Sequence, residues 1–247
     1  MIFKKITGII RLCMLRDWHE GMQNKIITVL GGSGFIGRHV VQRLAARGAL
    51  LKIGCRDINK AMHLLPMGTT GQIRLIPANV RDEASVRQLV KGSDYVINLV
   101  GILFEKGKQT FQSVHVEASQ RIAQICKEEG VLGFIHMSAL GAAKESSSLY
   151  AKTKFEAEEA INKNFPDAII FRSGLVYGAE DRFFNRFAQL ASIMPILPLV
   201  NGGNTRFQPV FAGDVAEAVV ETIAKAMRSQ VFELAGQSVY SFKELMQ

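Results

Sequence analysis

Six short apolar runs, near residues 26–30, 50–55, 72–77, 94–100, 132–137 and 167–172, punctuate the chain. Between them lie longer segments near 35–47, 82–91, 112–129 and 147–163, with apolar residues at helical spacing and polar residues on the opposite face. The first pattern predicts buried strands and the second amphipathic helices. Regular alternation of the two predicts an α/β fold with a parallel sheet covered by helices on both faces. After Gly178 the pattern loosens into a helix near 181–193, a proline-rich stretch to Pro198 and the polar turn Asn201-Gly202-Gly203-Asn204. A helix over Asp214 to Met227 and a strand over 231–235 follow, and Ser241 is placed to cap a last helix that stops at Gln247. The pattern divides the chain into an extension (1–24), a main α/β domain (25–178) and a mixed C-terminal region (179–247), a partial small domain joined to the last elements of the main one.

The first strand breaks into glycines. Residues 26–37 read Ile-Ile-Thr-Val-Leu-Gly-Gly-Ser-Gly-Phe-Ile-Gly and lead directly into the first helix. A nucleotide phosphate is held by backbone N–H groups at a helix N-terminus, where positive partial charge collects and no side chain blocks approach. Gly31 suits the tight turn, Gly34 the approach of a pyrophosphate to backbone, and Gly37 the close packing of helix on strand. A glycine-rich turn is also simply a tight turn. The strand before it, the helix after it and the second strand at 50–55 complete the βαβ unit that a dinucleotide site requires.

Bulk composition narrows the rest. A chain of 247 residues with 48% hydrophobic content can bury one good core, and disorder is excluded. Cys13, Cys55 and Cys126 are scattered without metal-ligand spacing, so no metal site is expected, and their odd number argues against a disulfide framework. The formal charge is +8; residues 1–24 hold +2 of it and the remainder is spread over the helices. With no aromatic-interleaved basic patch, nucleic acid is a poor partner, and an anionic dinucleotide or anionic membrane surface fits the sign better. No apolar run reaches the length of a bilayer span; Ala191 to Val200 is short and contains Pro195 and Pro198. Contact with a membrane is therefore expected to be peripheral. Residues 1–21 resemble a leader only superficially, since Arg11 interrupts the apolar stretch and Asp17 and Glu20 follow it.

The spacing Gly31-x-x-Gly34-x-x-Gly37 resembles the short-chain dehydrogenase/reductase superfamily, in particular its extended and atypical members. The resemblance continues through Asn98-Leu99-Val100-Gly101 after the fourth strand, Ser138 ending the fifth, the pair Tyr150-x-x-x-Lys154, and Arg172-Ser173-Gly174-Leu175-Val176-Tyr177-Gly178. It covers about residues 25–245. The phrases Gly31 to Val41, His136 to Ala142 and Asp181-Arg182-Phe183-Phe184-Asn185 look most like the NADPH-binding accessory subunit of respiratory complex I and its bacterial relatives. The resemblance implies a doubly wound (Rossmann) sheet beginning in the order 3-2-1-4-5-6, with ligand across the switch between strands 1 and 4. It also implies a small C-terminal substrate subdomain, here incomplete. Its implied setting is the cytoplasm or the inner-membrane surface, on the matrix side in a mitochondrion, beside a respiratory-chain or quinone-synthesis complex.

Residue by residue, the resemblance implies a cofactor floor of Gly31, Gly34, Phe35, Ile36 and Gly37, with Asn79 and Val80 facing the adenine and Val100 and Gly101 also binding the cofactor. Tyr150, Lys154 and Ser138 are the implied catalytic group. Tyr150 and Lys154 share one helix face; the superfamily's lysine holds the nicotinamide ribose and lowers the phenol pKa, without which a tyrosine is a poor base at neutral pH. The positions where the superfamily's active serine usually falls are Ala139 and Leu140, which leaves Ser138, or Ser146 to Ser148, to fill the role. His115 stands where relatives often have asparagine, and Ser173 replaces a common proline; an isolated histidine there is more often structural than catalytic. These departures put proton relay in doubt and leave nucleotide binding intact.

At the end of the second strand, Cys55 occupies the place of the carboxylate that accepts from an NAD ribose, and Arg56 follows. A guanidinium favours a 2′-phosphate by charge and forked geometry, so NADP(H) is the preferred cofactor. Asp57 keeps NAD(H) as the alternative, or else serves as the N-cap of a helix over Asn59 to Leu65. Two functions are consistent with these residues. One is an NADP(H)-holding protein of respiratory or quinone metabolism; the other is an NAD(P)-dependent oxidoreductase or epimerase acting on a hydrophobic carbonyl or alcohol through Tyr150 and Lys154.

Overall fold

The computed structural model describes residues 22–193 and 200–246. Most of the 1–24 extension lies outside the described residues, as do Cys13, Pro195, Pro198 and Gln247. The main sheet is built from β1 (Ile26–Leu30), β2 (Leu50–Cys55), β3 (Ile73–Pro77), β4 (Tyr95–Asn98), β5 (Gly133–Ala139) and β6 (Ile169–Ser173). Its seventh strand comes from the C-terminal region. After the two-residue strands β7 (Val176–Tyr177), β8 (Arg206–Phe207) and β9 (Val210–Phe211), the strand β10 (Gln230–Leu234) returns beside β6. The order is β10-β6-β5-β4-β1-β2-β3, all parallel, as the resemblance implied. Strand order reverses between β1 and β4, whose carboxyl ends Leu30 and Asn98 stand in register.

Helices α1 (Phe35–Ala46), α2 (Ile58–Ala61), α3 (Glu83–Val90), α4 (Glu117–Glu128), α5 (Leu149–Asn164), α6 (Phe184–Ile193) and α7 (Ala212–Ala224) complete the layers. One core joins α1 to α7 and the sheet through Val40, Val41, Leu44, Val215, Val219 and Val220, all fully buried. Each such side chain contributes about 1.5–3 kcal/mol. The second core, beneath α3, α4 and α5, is filled by Val86, Leu89, Ile122, Phe134 and Ile161. Along the outer seam, Arg43 of α1 and its C-cap residue Arg47 pair with Glu217 and Glu221 of α7.

Three elements differ from the sequence pattern. The strand expected over 94–100 stops at Asn98, because the Asn98 side-chain oxygen accepts the Val100 N–H at 3.1 Å and turns the chain. The helix expected over 112–129 opens as a wide π turn, Gln112–Val116, before α4. The helix expected over 59–65 is the single turn α2 followed by a tighter 3-10 segment, Met62–Met67, containing Pro66, which has no N–H to donate. At the C-terminus β11 (Tyr240–Ser241) pairs antiparallel with β8, and Ser241 and Glu244 form a reciprocal capping box on α8 (Phe242–Leu245).

Candidate dinucleotide site

The reversal between β1 and β4 is where an open parallel sheet leaves a crevice, and the glycines line it. Gly31 has φ +81°, and a Cβ there would stand 3.1 Å from the Leu99 carbonyl carbon, so the two switch-point loops touch through backbone. Its carbonyl accepts the Gly34 N–H at 3.0 Å, closing the turn. Gly34 is the N-cap of α1, followed by Phe35, Ile36 and Gly37 in the first turn, whose N–H groups face the end of the helix. A Cβ on Gly37 would stand 2.3 Å from the Gly31 oxygen. Gly32, not singled out by the motif, is buried, and its Cβ would stand 2.8 Å from Ile53. The cradle therefore has no room for side chains at 31, 32 or 37.

Beyond the cradle, Ser33, Arg56, Asp57 and Lys60 line an open cleft of about 380 Å³ at the tip of β2. The Cys55 thiol is buried and directed to the Ile76 carbonyl at 3.7 Å, away from the cleft. Asp57 caps α2, its Oδ1 accepting the Asn59 and Lys60 N–H groups at 3.0 and 3.4 Å. Its other oxygen, Oδ2, faces the Lys60 ammonium at 3.8 Å, while the Arg56 guanidinium donates to Gln109 Oε1 at 2.6 Å. At the end of β3, Asn79 Oδ1 accepts the Arg81 N–H at 3.2 Å, and the Val80 carbonyl accepts from Arg121 at 3.0 Å.

The residues expected at the nicotinamide lie on α5. Ser148 caps the helix through the Ala151 N–H, and Tyr150 and Lys154 follow on one face. Lys154 is buried; its Nζ donates to the Met137 carbonyl at 3.1 Å, and a Cβ on Gly101 would stand 3.4 Å from it. Burial draws the ammonium down to about 8, an effect opposed by Glu158. The Tyr150 phenol is raised by burial.

Ser138 is buried near the end of β5. Its buried hydroxyl donates to Glu158, which also holds Arg172 through Nη2 at 2.7 Å and Nε at 3.1 and 3.2 Å. In the protein alone the Ser138 hydrogen is thus directed to a carboxylate. Glu158 was not recognised in the sequence, although its position four residues after Lys154 on the same helix face was the available signal.

His115 sits in the π turn, a distortion that recurs at functional sites. Its Nε2 accepts the Ile102 N–H at 3.1 Å, which assigns the proton to Nδ1 and makes Nδ1 the donor to Thr153 Oγ1 at 3.2 Å. Phe111 stacks on the ring and Tyr150 meets it edge-on, with centroids 5.2 and 5.4 Å away. Burial first, then the nearby Lys154 charge, lowers His115 to about 3. It is a neutral brace between the 101–111 loop and α5. In the unfolded chain it takes up a proton near its ordinary pKa of about 6.5. Stability is therefore full above that value and declines as pH falls from 6.5 towards 3, by about 2 kcal/mol between pH 6.5 and 5 from this group. Urea unfolding across that range should show His115→Asn with a slope smaller by about one proton.

Buried Cys55 and Cys126 are free thiols. Among the described residues no cluster of metal-ligating side chains occurs, and no helix is long and apolar enough to cross a membrane.

Comparison with known proteins agrees with this geometry. The profile described as "NAD dependent epimerase/dehydratase family" matches residues 27–235. The chain is 40% identical over 197 residues to the mitochondrial NADH dehydrogenase (ubiquinone) 1 alpha subcomplex subunit 9 of Mus musculus, covering 79% of this chain and 52% of the relative. To the protein of the same name from Arabidopsis thaliana it is 34% identical over 224 residues, covering 89% and 56%. The chain thus spans about half the length of these relatives. Among solved structures, the Bordetella bronchiseptica enzyme WbmH in complex with NAD+ superposes with a TM-score of 0.74 at 19% identity, over 91% of this chain and 80% of that one, and shares the fold. With the fold, the glycine cradle and the family profile in agreement over most of its length, the chain belongs to the NAD-dependent epimerase/dehydratase family, the extended branch of the short-chain dehydrogenase/reductases.

Proposed function

We propose that this protein holds NADP(H) as a lasting ligand and works as a member of, or beside, respiratory complex I at the inner-membrane surface. The carrying observation is the cleft at the tip of β2. Two cations, Arg56 and Lys60, line it; of its one carboxylate, Asp57, one oxygen caps α2 and the other faces the Lys60 ammonium at 3.8 Å. A 2′-phosphate meets complementary charge there, whereas a ribose diol lacks the free carboxylate that an NAD site supplies. Gly31, Gly34, Phe35, Ile36 and Gly37 would hold the pyrophosphate, Asn79 and Val80 the adenine, and Val100, Gly101, Tyr150 and Lys154 the nicotinamide riboside. The complex I setting is supported by the names of the relatives.

Holding is favoured over turnover by the proton path. Ser138 donates to Glu158, Ala139 carries no hydroxyl, and burial moves the Tyr150 phenol away from neutral pH. The second reading, an oxidoreductase or epimerase, draws on the common helix face of Tyr150 and Lys154. When bound, the dinucleotide supplies or accepts a hydride; Tyr150 would then be the residue exchanging a proton with substrate. That reading requires a turnover that Tyr150→Phe abolishes while nucleotide stays bound.

Arg56→Ala tests the cofactor assignment. Two charge-assisted hydrogen bonds at about 1.5 kcal/mol each correspond to a loss of roughly 100-fold in NADPH affinity, with NADH affinity unchanged. Titration followed by nicotinamide fluorescence measures both; equal losses for the two nucleotides would remove Arg56 from the 2′-phosphate site.

A further inference from the structure

The bond between Arg56 and Gln109 joins the tip of β2 to the loop between β4 and the π turn, residues 53 apart in sequence. Among the described residues Arg56 forms no ion pair, so the direction of its guanidinium is set by a neutral amide. An exposed arginine samples many rotamers and loses that side-chain freedom when fixed. A partner that fixes it beforehand removes part of that loss from ligand binding. The Gln109 oxygen occupies one of five guanidinium N–H groups and leaves the others for a phosphate.

Gln109 is itself held in place. Lys106 and Gln109 exchange backbone bonds of 3.0 and 3.1 Å around Gly107, which has φ +56°. The Lys108 carbonyl accepts from Arg81 at 3.2 Å and from Ser113 at 3.1 Å, and Glu105 accepts the Phe111 N–H at 2.7 Å. The turn closes without the Arg56 bond, so that bond is not needed to shape the loop. Charge is the second consideration. A carboxylate at 109 would pair with Arg56 and compete with an incoming phosphate, whereas an amide orients the guanidinium and leaves its charge free.

We infer that Gln109 is a positioning residue for cofactor choice, aligning the Arg56 guanidinium for the 2′-phosphate of an adenine dinucleotide. The inference rests on the NADP(H) reading above and assigns its selectivity to a contact between two distant loops.

The test titrates the full chain, as wild type, Gln109→Ala, Gln109→Glu and Arg56→Ala, with NADPH and NADH, and uses 2′,5′-ADP and ADP as competitors. Circular dichroism melts verify folding of each variant. Gln109→Ala should weaken NADPH and 2′,5′-ADP about fivefold to tenfold and leave NADH and ADP within about twofold. Gln109→Glu should erase the preference for the 2′-phosphorylated ligands. A loop staple without a role in selectivity would weaken all four ligands together, and that result overturns the inference, as does a Gln109→Ala protein with unchanged selectivity. If Arg56→Ala erases the preference while both Gln109 variants keep it, the Gln109 assignment alone falls. A wild-type protein without preference for NADPH removes the NADP(H) reading itself.

Discussion

Replacing Gly37 by alanine should cost about 3 kcal/mol of stability and abolish nucleotide binding. The added Cβ would stand 2.3 Å from the Gly31 oxygen, 2.6 Å from the Gly32 Cα and 2.7 Å from the Gly32 carbonyl carbon. All three are backbone atoms, so no side-chain rotation relieves the clash. Either α1 lifts from the turn or the turn opens. Lifting α1 separates Val40, Val41 and Leu44 from α7 and the sheet in a core packed without room for translation. Gly34→Ala is the control, because its Cβ meets only the Gly31 oxygen at 3.1 Å and its φ is −79°. Urea midpoints should fall sharply for Gly37→Ala and little for Gly34→Ala; a wild-type midpoint for Gly37→Ala would show that the turn is looser than its geometry indicates.

Lys154→Met should do the opposite to stability while also weakening nucleotide binding. A buried ammonium held at about 8 instead of 10.5 penalises the fold by about 3 kcal/mol at pH 7. Loss of the Met137 hydrogen bond offsets part of the relief, so a net gain of roughly 1–3 kcal/mol is expected. Glu158 keeps Arg172 as its partner. The sign with pH follows from the depressed value. Below about 8 the lysine is charged in both states and the penalty is complete. Between 8 and 10.5 the unfolded state binds more protons, and stability climbs with pH. Unfolding at pH 7 and pH 9.5 should show this climb in wild type and a smaller one in Lys154→Met. Affinity for NADPH should fall by about tenfold to 100-fold through loss of charge-assisted contacts. A variant less stable than wild type at pH 7 would mean that Lys154's contacts outweigh its desolvation. The residue would then be a structural member of the core rather than a destabilised one retained for a ligand.

How much of this could be read from residue order depends on how local each feature is. The strands of the main sheet and α1 were legible because apolar runs, glycine spacing and helical period all act within a dozen residues. The order of strands came from resemblance and was found as implied. By contrast β7, β8, β9 and β11 have two residues each, too few to carry a period. The π turn at Gln112–Val116 lies inside a continuous amphipathic pattern, which does not distinguish a wide turn from an ordinary one. In the site, Asp57 as a helix cap was visible because a cap acts over three residues. The tie from Ser138 to Glu158, 20 residues away, and that from Arg56 to Gln109, 53 away, arise only when the fold packs α5 on β5 and brings the loop after β4 beside the tip of β2.

The central claim is that the glycine crevice holds a 2′-phosphorylated dinucleotide. Its most direct test is a fluorescence titration of the full chain, shown to be folded by circular dichroism, with NADPH and with NADH. The account predicts saturable binding of one nucleotide per chain, with NADPH tighter by at least about tenfold. Folded protein that binds neither nucleotide would contradict it, and the turn from Gly31 to Gly37 would then serve only to join a strand to a helix.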